Sequence, residues 1–184
     1  MLAARPGLVI IDRDGVINED SDDYIKSVAE WRPIAGSLEA IAELHRAGWR
    51  VAVISNQSGI ARGLYDEETL AAIHSHMRER VRAVGGEVVG VWYCPHLPDA
   101  GCDCRKPRPG LFRQVERDLG VSVRGAPYIG DRISDVQAAE GAGAYPILVR
   151  TGTGAHTESL LGDTAVPVYD DLWAAARALL DETR

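Results

Sequence analysis

The chain has 184 residues, 46% hydrophobic and 26% charged, a composition that excludes a disordered or low-complexity protein. Twenty Lys and Arg residues against 27 Asp and Glu residues give a net charge of −7, which disfavours nonspecific nucleic-acid binding. No apolar run reaches the roughly 18–20 residues of a membrane span, and residues 1–6 do not resemble a signal peptide. We therefore expect one cytoplasmic domain over residues 1–184, present as a monomer.

Short apolar runs alternate along the chain with segments of helical period. The runs predict strands at residues 8–11, 51–54, 88–92, 127–129, 147–149 and 166–168. Helical spacing of apolar residues predicts helices over 38–44, 70–84 and 112–119, ended by Gly48, Gly85 and Gly120. Strands that are apolar on both faces belong to a parallel sheet covered by helices. The alternation predicts an α/β fold, a doubly wound Rossmann-like domain with a central parallel sheet.

Polar residues follow four of these apolar runs, where ligands bind in such folds. The first run is followed by Asp12–Gly15, the second by Ser55–Gly59 and the fourth by Gly130–Asp135, and the third leads through a cysteine cluster to Arg105 and Lys106. Because parallel strands end at the same edge of the sheet, we expect these segments to line one crevice.

The residue types in this crevice suit phosphoryl transfer. Asp12 and Asp14 lie two residues apart, so both side chains point to one side, and with Asp131 they would repel one another without a cation such as Mg²⁺. One carboxylate can attack phosphorus to form an aspartyl-phosphate, while a second protonates the leaving oxygen and then activates water. Ser55 and Lys106 supply the donor and the charge that the phosphoryl oxygens need.

Each residue taken singly also has a simpler interpretation. Asp and Ser at strand ends often only cap helices, and a lone lysine such as Lys106 is typically solvated. Asp135 suits a supporting role as well as that of a metal ligand. The joint occurrence of polar clusters at successive strand ends favours an active site.

All three cysteines fall between residues 94 and 104, in a pattern that suits a metal. An odd number of cysteines argues against a disulfide framework. Together with His96, they form the pattern C-x-H-x5-C-x-C, which predicts a closed tetrahedral Zn²⁺ site made by Cys94, His96, Cys102 and Cys104. The alternative is three idle thiols beside a surface histidine, and four ligands in one loop disfavour it.

These motifs together resemble the haloacid-dehalogenase-like phosphatase superfamily over nearly the whole chain. The motifs are Asp12-x-Asp14, Ser55, Lys106 and the acidic pair Asp131 and Asp135. The resemblance implies that Asp12 is the nucleophile and Asp14 the acid/base. It also implies that Mg²⁺ is held by Asp12, the Asp14 carbonyl and Asp131, with Asp135 in support.

The zinc-loop pattern is similar to a capless branch of that superfamily, which contains heptose-bisphosphate and histidinol-phosphate phosphatases. Residues 20–37 and the run Ser55–Gly63 look like the heptose type, which implies removal of the C7 phosphate of D-glycero-D-manno-heptose 1,7-bisphosphate during heptose-precursor biosynthesis for lipopolysaccharide. Residues expected to contact this phosphorylated sugar are Asp20, Asp23, Asn56, Gln57, Ser58, Arg105 and Arg132. Arg105 and Arg132 suit a second phosphate that is bound without being cleaved, although solvated arginines are the simpler interpretation of Arg132, Arg62 and Arg108.

Other functions stay open at this point. A histidinol-phosphate phosphatase is the nearest alternative, and a polynucleotide 3′-phosphatase is a further enzymatic one. A phosphoryl-accepting receiver module shares the fold, but neither the Ser55 motif nor a zinc loop belongs to it. A nucleic-acid-binding zinc module is disfavoured by the charge of −7.

Overall fold

The computed structural model describes residues 7–182, in which six parallel strands form one sheet flanked by helices. The strands are β1 (Leu8–Ile11), β2 (Arg50–Asn56), β3 (Gly90–Cys94), β4 (Pro127–Gly130), β5 (Tyr145–Val149) and β6 (Val168–Tyr169). The helices are α1 (Ser37–Arg46), α2 (Glu67–Ala83), α3 (Gly110–Leu119), α4 (Ile133–Ala142), α5 (Gly154–Leu161) and α6 (Leu172–Glu182), with a short 3-10 helix at Val28–Glu30.

The strand order is β3-β2-β1-β4-β5-β6, and all adjacent strands are parallel. The order reverses at β1, so the crevice at the carboxyl ends of β1 and β4 is the expected ligand site of a doubly wound sheet. The predicted fold class is thereby confirmed. Within residues 7–182 no separate cap domain lies outside the sheet and its helices.

Two apolar layers hold the helices on the sheet. On one face, Val9 and Ile11 of β1 pack in the same cluster as buried residues of α1, α2 and α6. On the other face, Leu8 and Ile10 pack in a cluster with residues of α3 and α4. The alternation of β1 side chains between these clusters explains why the run is apolar throughout.

Only β1 has the predicted bounds; the other five strands differ by one or two residues at one or both ends, and β3 and β6 are shifted toward the carboxyl terminus. The structure begins β3 at Gly90, two residues later than predicted, because β3 pairs with the carboxyl-terminal part of β2 from Ala52 to Asn56. β6 contains two residues, since Pro167 has no N–H to donate, although its carbonyl accepts a hydrogen bond from Leu148. Both changes leave the strand order unaffected.

Among residues 7–182, no helix combines the length and apolar character needed to cross a membrane. Residues 1–6, to which the signal-peptide prediction refers, lie outside the described part of the chain.

Candidate active site

A cavity of about 400 Å³ opens at the carboxyl ends of the central strands. Ten of the predicted site residues line it: Asp12, Asp14, Asp20, Ser55, Asn56, Gln57, Ser58, Arg105, Lys106 and Arg132. Five further lining residues were not predicted, namely Ser21, Asp22, Tyr24, Ile25 and Ser134. The strand-end clusters therefore converge on one crevice, as expected.

Asp12 and Lys106 form a buried ion pair at the cavity. The Lys106 ammonium lies 3.0 Å from Asp12 Oδ1 and 2.7 Å from Asp135 Oδ1, and it donates a 2.8 Å hydrogen bond to the Tyr128 hydroxyl. Burial raises the pKa of Asp12, and the neighbouring carboxylates of Asp135, Asp131 and Asp14 raise it further against the opposing effect of Lys106. Burial alone would lower the pKa of Lys106, but Asp12 and Asp135 raise it, so the ammonium stays charged.

Carboxylate oxygens of Asp12, Asp131 and Asp135 lie within 4.8 Å of one another. Asp131 Oδ1 is buried and has no hydrogen-bond partner among the described residues, while its Oδ2 accepts hydrogen bonds from the Thr153 N–H and hydroxyl. Burial, together with the Asp135 charge, raises the pKa of Asp131 to about 6. An unpartnered buried carboxylate oxygen among like charges fits a divalent cation with oxygen ligands.

Asp135 is occupied by contacts with protein groups on both of its oxygens. Oδ1 accepts from the Tyr128 hydroxyl and pairs with Lys106, and Oδ2 accepts the backbone N–H groups of Asp131 and Arg132 at the start of α4. These contacts orient Asp131 and Lys106, and they favour the supporting role for Asp135.

Two glycines allow the backbone to approach Asp131. A Cβ at Gly15, whose φ is +80°, would lie 2.4 Å from Asp131 Oδ2, and one at Gly152 would lie 2.3 Å from the same oxygen. Gly152 also packs against Gly15. The loops after β1 and β5 can close on Asp131 only because both positions lack a side chain.

The Asp14 carboxylate is surrounded by donors from three side chains. Arg13 donates from Nε and Nη2, Asn18 Nδ2 donates at 2.9 Å and Gln57 Nε2 donates at 2.8 Å. Burial would raise the pKa of Asp14, but the Arg13 charge and these hydrogen bonds lower it below its ordinary value. Asp14 is thus held in a defined orientation beside the cavity.

The segment at the carboxyl end of β2 supports its neighbours as well as lining the cavity. Asn56 bonds to both the N–H and the carbonyl of Lys106, which fixes the backbone of that lysine. Gln57 Nε2 donates to Ser55 Oγ at 2.7 Å in addition to Asp14. Contact of Asn56, Gln57 and Ser58 with substrate stays a prediction.

The charged residues at the cavity rim differ in their partners. Arg132 pairs with Asp20 at 2.5 Å, so these two predicted substrate residues bind each other across the rim. Arg105 lines the cavity, donates to the His96 carbonyl and has no carboxylate partner in the described part of the chain. Asp23 does not line this cavity; it borders a neighbouring surface hollow, while Asp22 takes a place in the lining.

The four predicted zinc ligands lie together, with Cys94 at the end of β3 and the other three in the loop that follows. His96 Nδ1 lies 3.5 Å from Cys94 Sγ and 3.3 Å from Cys104 Sγ, and the sulfurs of Cys94 and Cys102 are 3.6 Å apart. Ligands bound tetrahedrally at zinc–sulfur and zinc–nitrogen bond lengths are separated by about 3.5–3.8 Å. The donor types and their spacing fit a closed zinc site. The next two residues of the chain, Arg105 and Lys106, line the cavity.

Several residues of the site were not identified from the sequence. Thr153 lies in the loop after β5, so a search for polar residues after this strand would have identified it. Tyr128 lies within β4, and Arg13 and His74 are brought together from positions 61 residues apart. These three carried no local signal of a role.

The fold and the buried aspartate–lysine cluster define a haloacid-dehalogenase-like hydrolase. In agreement, the sequence profile of the HAD-hydrolase-like family matches residues 103–175. Known relatives identify the family within this class, because several of them are similar to this chain over nearly their whole length.

The chain is 54% identical to the D-glycero-beta-D-manno-heptose-1,7-bisphosphate 7-phosphatase of Pseudomonas aeruginosa, over 94% of this chain and 97% of the relative. It is also similar to the crystal structure of D,D-heptose 1,7-bisphosphate phosphatase from Bordetella bronchiseptica complexed with magnesium and phosphate. That structure shares 48% identity and superposes with a TM-score of 0.92, covering 95% of this chain and 98% of that one. The chain belongs to this family of heptose-bisphosphate phosphatases.

Proposed function

We propose that the chain removes the C7 phosphate of D-glycero-β-D-manno-heptose 1,7-bisphosphate through an aspartyl-phosphate on Asp12. The observation that carries the proposal is the Asp12–Lys106 pair at the cavity, together with the Asp131 carboxylate, which lies within 4.8 Å of Asp12 and has one unpartnered oxygen. The relatives named as heptose-1,7-bisphosphate 7-phosphatases support this substrate and anomer. The product would serve as a heptose precursor for lipopolysaccharide or a related cell-surface polymer.

The nucleophilic oxygen follows from the contacts of Asp12. Its Oδ1 accepts the Arg13 N–H and pairs with Lys106, which leaves Oδ2 available for attack. Asp12 Oδ2 forms the bond to phosphorus as the bond from phosphorus to O7 breaks. Lys106 then faces the negative charge of the transferring phosphoryl group, together with the Ser55 hydroxyl.

Asp14 moves the proton in both halves of the reaction. It donates a proton to O7 as the sugar leaves, and it takes one from the water that attacks the aspartyl-phosphate. The donors around Asp14 favour the ionised form that accepts this second proton. An incoming phosphate dianion raises the pKa of a neighbouring carboxyl, which favours the protonated form when substrate is bound.

The residues that would hold Mg²⁺ are Asp12, the Asp14 carbonyl and Asp131, with Asp135 orienting Asp131. When bound, Mg²⁺ neutralises charge on the carboxylates and on the phosphoryl oxygens. The relative crystallised with magnesium and phosphate supports this assignment.

Arg105 is the group we assign to the second phosphate of the substrate. Its guanidinium borders the cavity without a carboxylate partner, whereas Arg132 is already paired with Asp20. Histidinol phosphate carries a cationic amine away from its phosphate, which Arg105 would repel. This difference favours the bisphosphate over histidinol phosphate.

Replacing Arg105 by alanine is expected to reduce kcat/KM for the bisphosphate by about 10- to 150-fold, since a charge-assisted contact contributes roughly 1.5–3 kcal/mol. A simple monophosphate should lose much less. Arg113→Ala on the exposed side of α3 is the matched control. Equal losses on both substrates would remove Arg105 from distal-phosphate binding.

A panel of phosphate esters tests the proposed function itself. We expect kcat/KM to be highest for the heptose bisphosphate, and we expect turnover without any partner protein, which distinguishes an enzyme from a receiver module. A value for histidinol phosphate equal to or above that for the heptose ester would replace the proposal with the histidinol alternative.

We also propose that Cys94, His96, Cys102 and Cys104 bind a structural Zn²⁺ that orders the loop and thereby places Arg105 and Lys106. The loop is tied to its surroundings by the Arg105 hydrogen bond to the His96 carbonyl and by an Arg108 hydrogen bond to the Cys102 carbonyl. Four protein ligands leave no open position on the metal, so its role is structural.

Cys102→Ser is expected to reduce the free energy of unfolding by about 2 kcal/mol or more, equivalent to a melting-temperature decrease of about 4–8 °C. Activity should fall in parallel, because Lys106 and Arg105 follow the loop. Asp103→Ser changes an exposed residue in the same loop and serves as the control. Full activity and stability in protein that contains no zinc by elemental analysis would refute the site.

The single-domain boundaries 1–184, the monomeric state and the cytoplasmic location are predictions that accompany this proposal.

A further inference from the structure

Arg13, between the two catalytic aspartates, has a side chain with 0% exposure. Its Nε and Nη2 groups hold the Asp14 carboxylate at 2.8–3.0 Å, and Nη2 also lies 3.3 Å from Gln57 Oε1. A guanidinium is planar, so a hydrogen bond to its third nitrogen, Nη1, fixes the direction in which the pair Nε and Nη2, the Arg13 fork, donates. Asn18 and Gln57 also donate to Asp14, but the direction of the Arg13 hydrogen bonds to this carboxylate depends on what holds Nη1.

The remaining nitrogen, Nη1, lies 3.2 Å from Nε2 of His74 on α2. A guanidinium has only donors, so His74 Nε2 accepts and the ring is neutral, with its proton on Nδ1. His74 is 8% exposed, and its ring packs against Tyr93 at a centroid distance of 5.8 Å. Burial and the Arg13 charge lower the pKa of His74 to about 3, consistent with a neutral acceptor.

We propose that Arg13 and His74 are positioning residues, through which α2 holds the Asp14 carboxylate in line with the leaving oxygen of the substrate. Neither residue lines the cavity, so neither is assigned a contact with substrate. The inference rests on the proposed function, because it concerns the protonation of the leaving group by Asp14.

The expected defect is specific to proton transfer. Without the His74 acceptor, the Arg13 fork can rotate and displace Asp14, and displacement of a catalytic group by about 1 Å costs about 100-fold in rate. A sugar alkoxide leaves only with a proton, whereas 2,4-dinitrophenolate leaves without one. A merely structural role would slow both reactions alike.

The test compares kcat/KM for the heptose bisphosphate and for 2,4-dinitrophenyl phosphate, since this parameter reports formation of the phosphoenzyme. His74→Phe keeps an aromatic ring and removes the acceptor. We expect a loss of about 10- to 100-fold on the sugar ester, in kcat with KM little changed, and less than about 3-fold on the aryl ester. His74→Gln, which restores an acceptor oxygen, should recover most of the loss.

Arg13→Lys, which cannot form the fork, should show the same dependence on leaving group and covers the case in which His74→Phe does not fold. His76→Phe, on the same helix and without contact to Arg13, is the control. Equal losses on both esters, or no recovery with His74→Gln, would overturn the inference. If the wild type cleaves glycerol phosphate but not the heptose ester, the proposed substrate is wrong, and the glycerol and aryl esters still decide the role of His74.

Discussion

Asp12→Asn is expected to abolish turnover, with kcat reduced by about 10⁴-fold or more, because a carboxamide does not attack phosphorus. The fold should be retained. The asparagine oxygen can still accept the Arg13 N–H, and Lys106 keeps its ion pair with Asp135. Asp14→Asn should reduce turnover nearly as much, since the acid and the base of the two steps are then both lost.

Trapping the phosphoenzyme tests whether Asp12 is the residue that carries the phosphoryl group. Acid quenching with substrate that carries radioactive phosphorus in its C7 phosphate should leave labelled phosphate bound to the wild-type chain at Asp12, and Asp12→Asn should carry none. Circular dichroism and the melting temperature report whether the variant is folded, and the exposed Asp163→Asn provides a control. Activity of folded Asp12→Asn within about 10-fold of wild type would contradict the covalent mechanism.

Lys106→Met is expected to impair stability and catalysis together. It leaves the buried Asp12 and Asp135 carboxylates without their shared ammonium, and breaking a buried ion pair from one side costs about 3–5 kcal/mol. Loss of the charge facing the phosphoryl group should reduce kcat by about 10²- to 10³-fold. Because a divalent cation also neutralises these carboxylates, the destabilisation should be smaller in the presence of Mg²⁺.

Urea unfolding with and without Mg²⁺ measures this effect. Lys26, the other lysine of the chain, forms a partly exposed pair with Glu30, so Lys26→Met should cost less than about 1 kcal/mol. A cost for Lys106→Met no larger than that for Lys26→Met would show that the buried pair does not hold the site together.

The convergence of the candidate catalytic segments could be predicted because it follows from a general property of parallel sheets. Asp12 and Asp131 directly follow β1 and β4, and Ser55 is the penultimate residue of β2; such strand ends meet at one edge of a parallel sheet regardless of loop detail. The clustering of the four candidate zinc ligands could be predicted for a related reason, since all of them lie within residues 94–104 and need no distant partner.

The contacts of the loop at residues 20–26 could not be predicted in the same way. This segment has no hydrophobic period, and Tyr24 has a φ of +65°, so alternation does not indicate which carboxylate faces the cavity. Asp22 lines it and Asp23 does not. The pairing of Asp20 with Arg132 joins residues 112 positions apart and depends on the final placement of two loops.

The central claim is the removal of phosphate from one end of a bisphosphate, and phosphorus NMR of a single reaction tests it most directly. With D-glycero-β-D-manno-heptose 1,7-bisphosphate, Mg²⁺ and the zinc-loaded protein, the C7 resonance should convert to inorganic phosphate while the C1 resonance persists. Loss of the C1 phosphate first, or no Mg²⁺-dependent release from C7, would contradict the account.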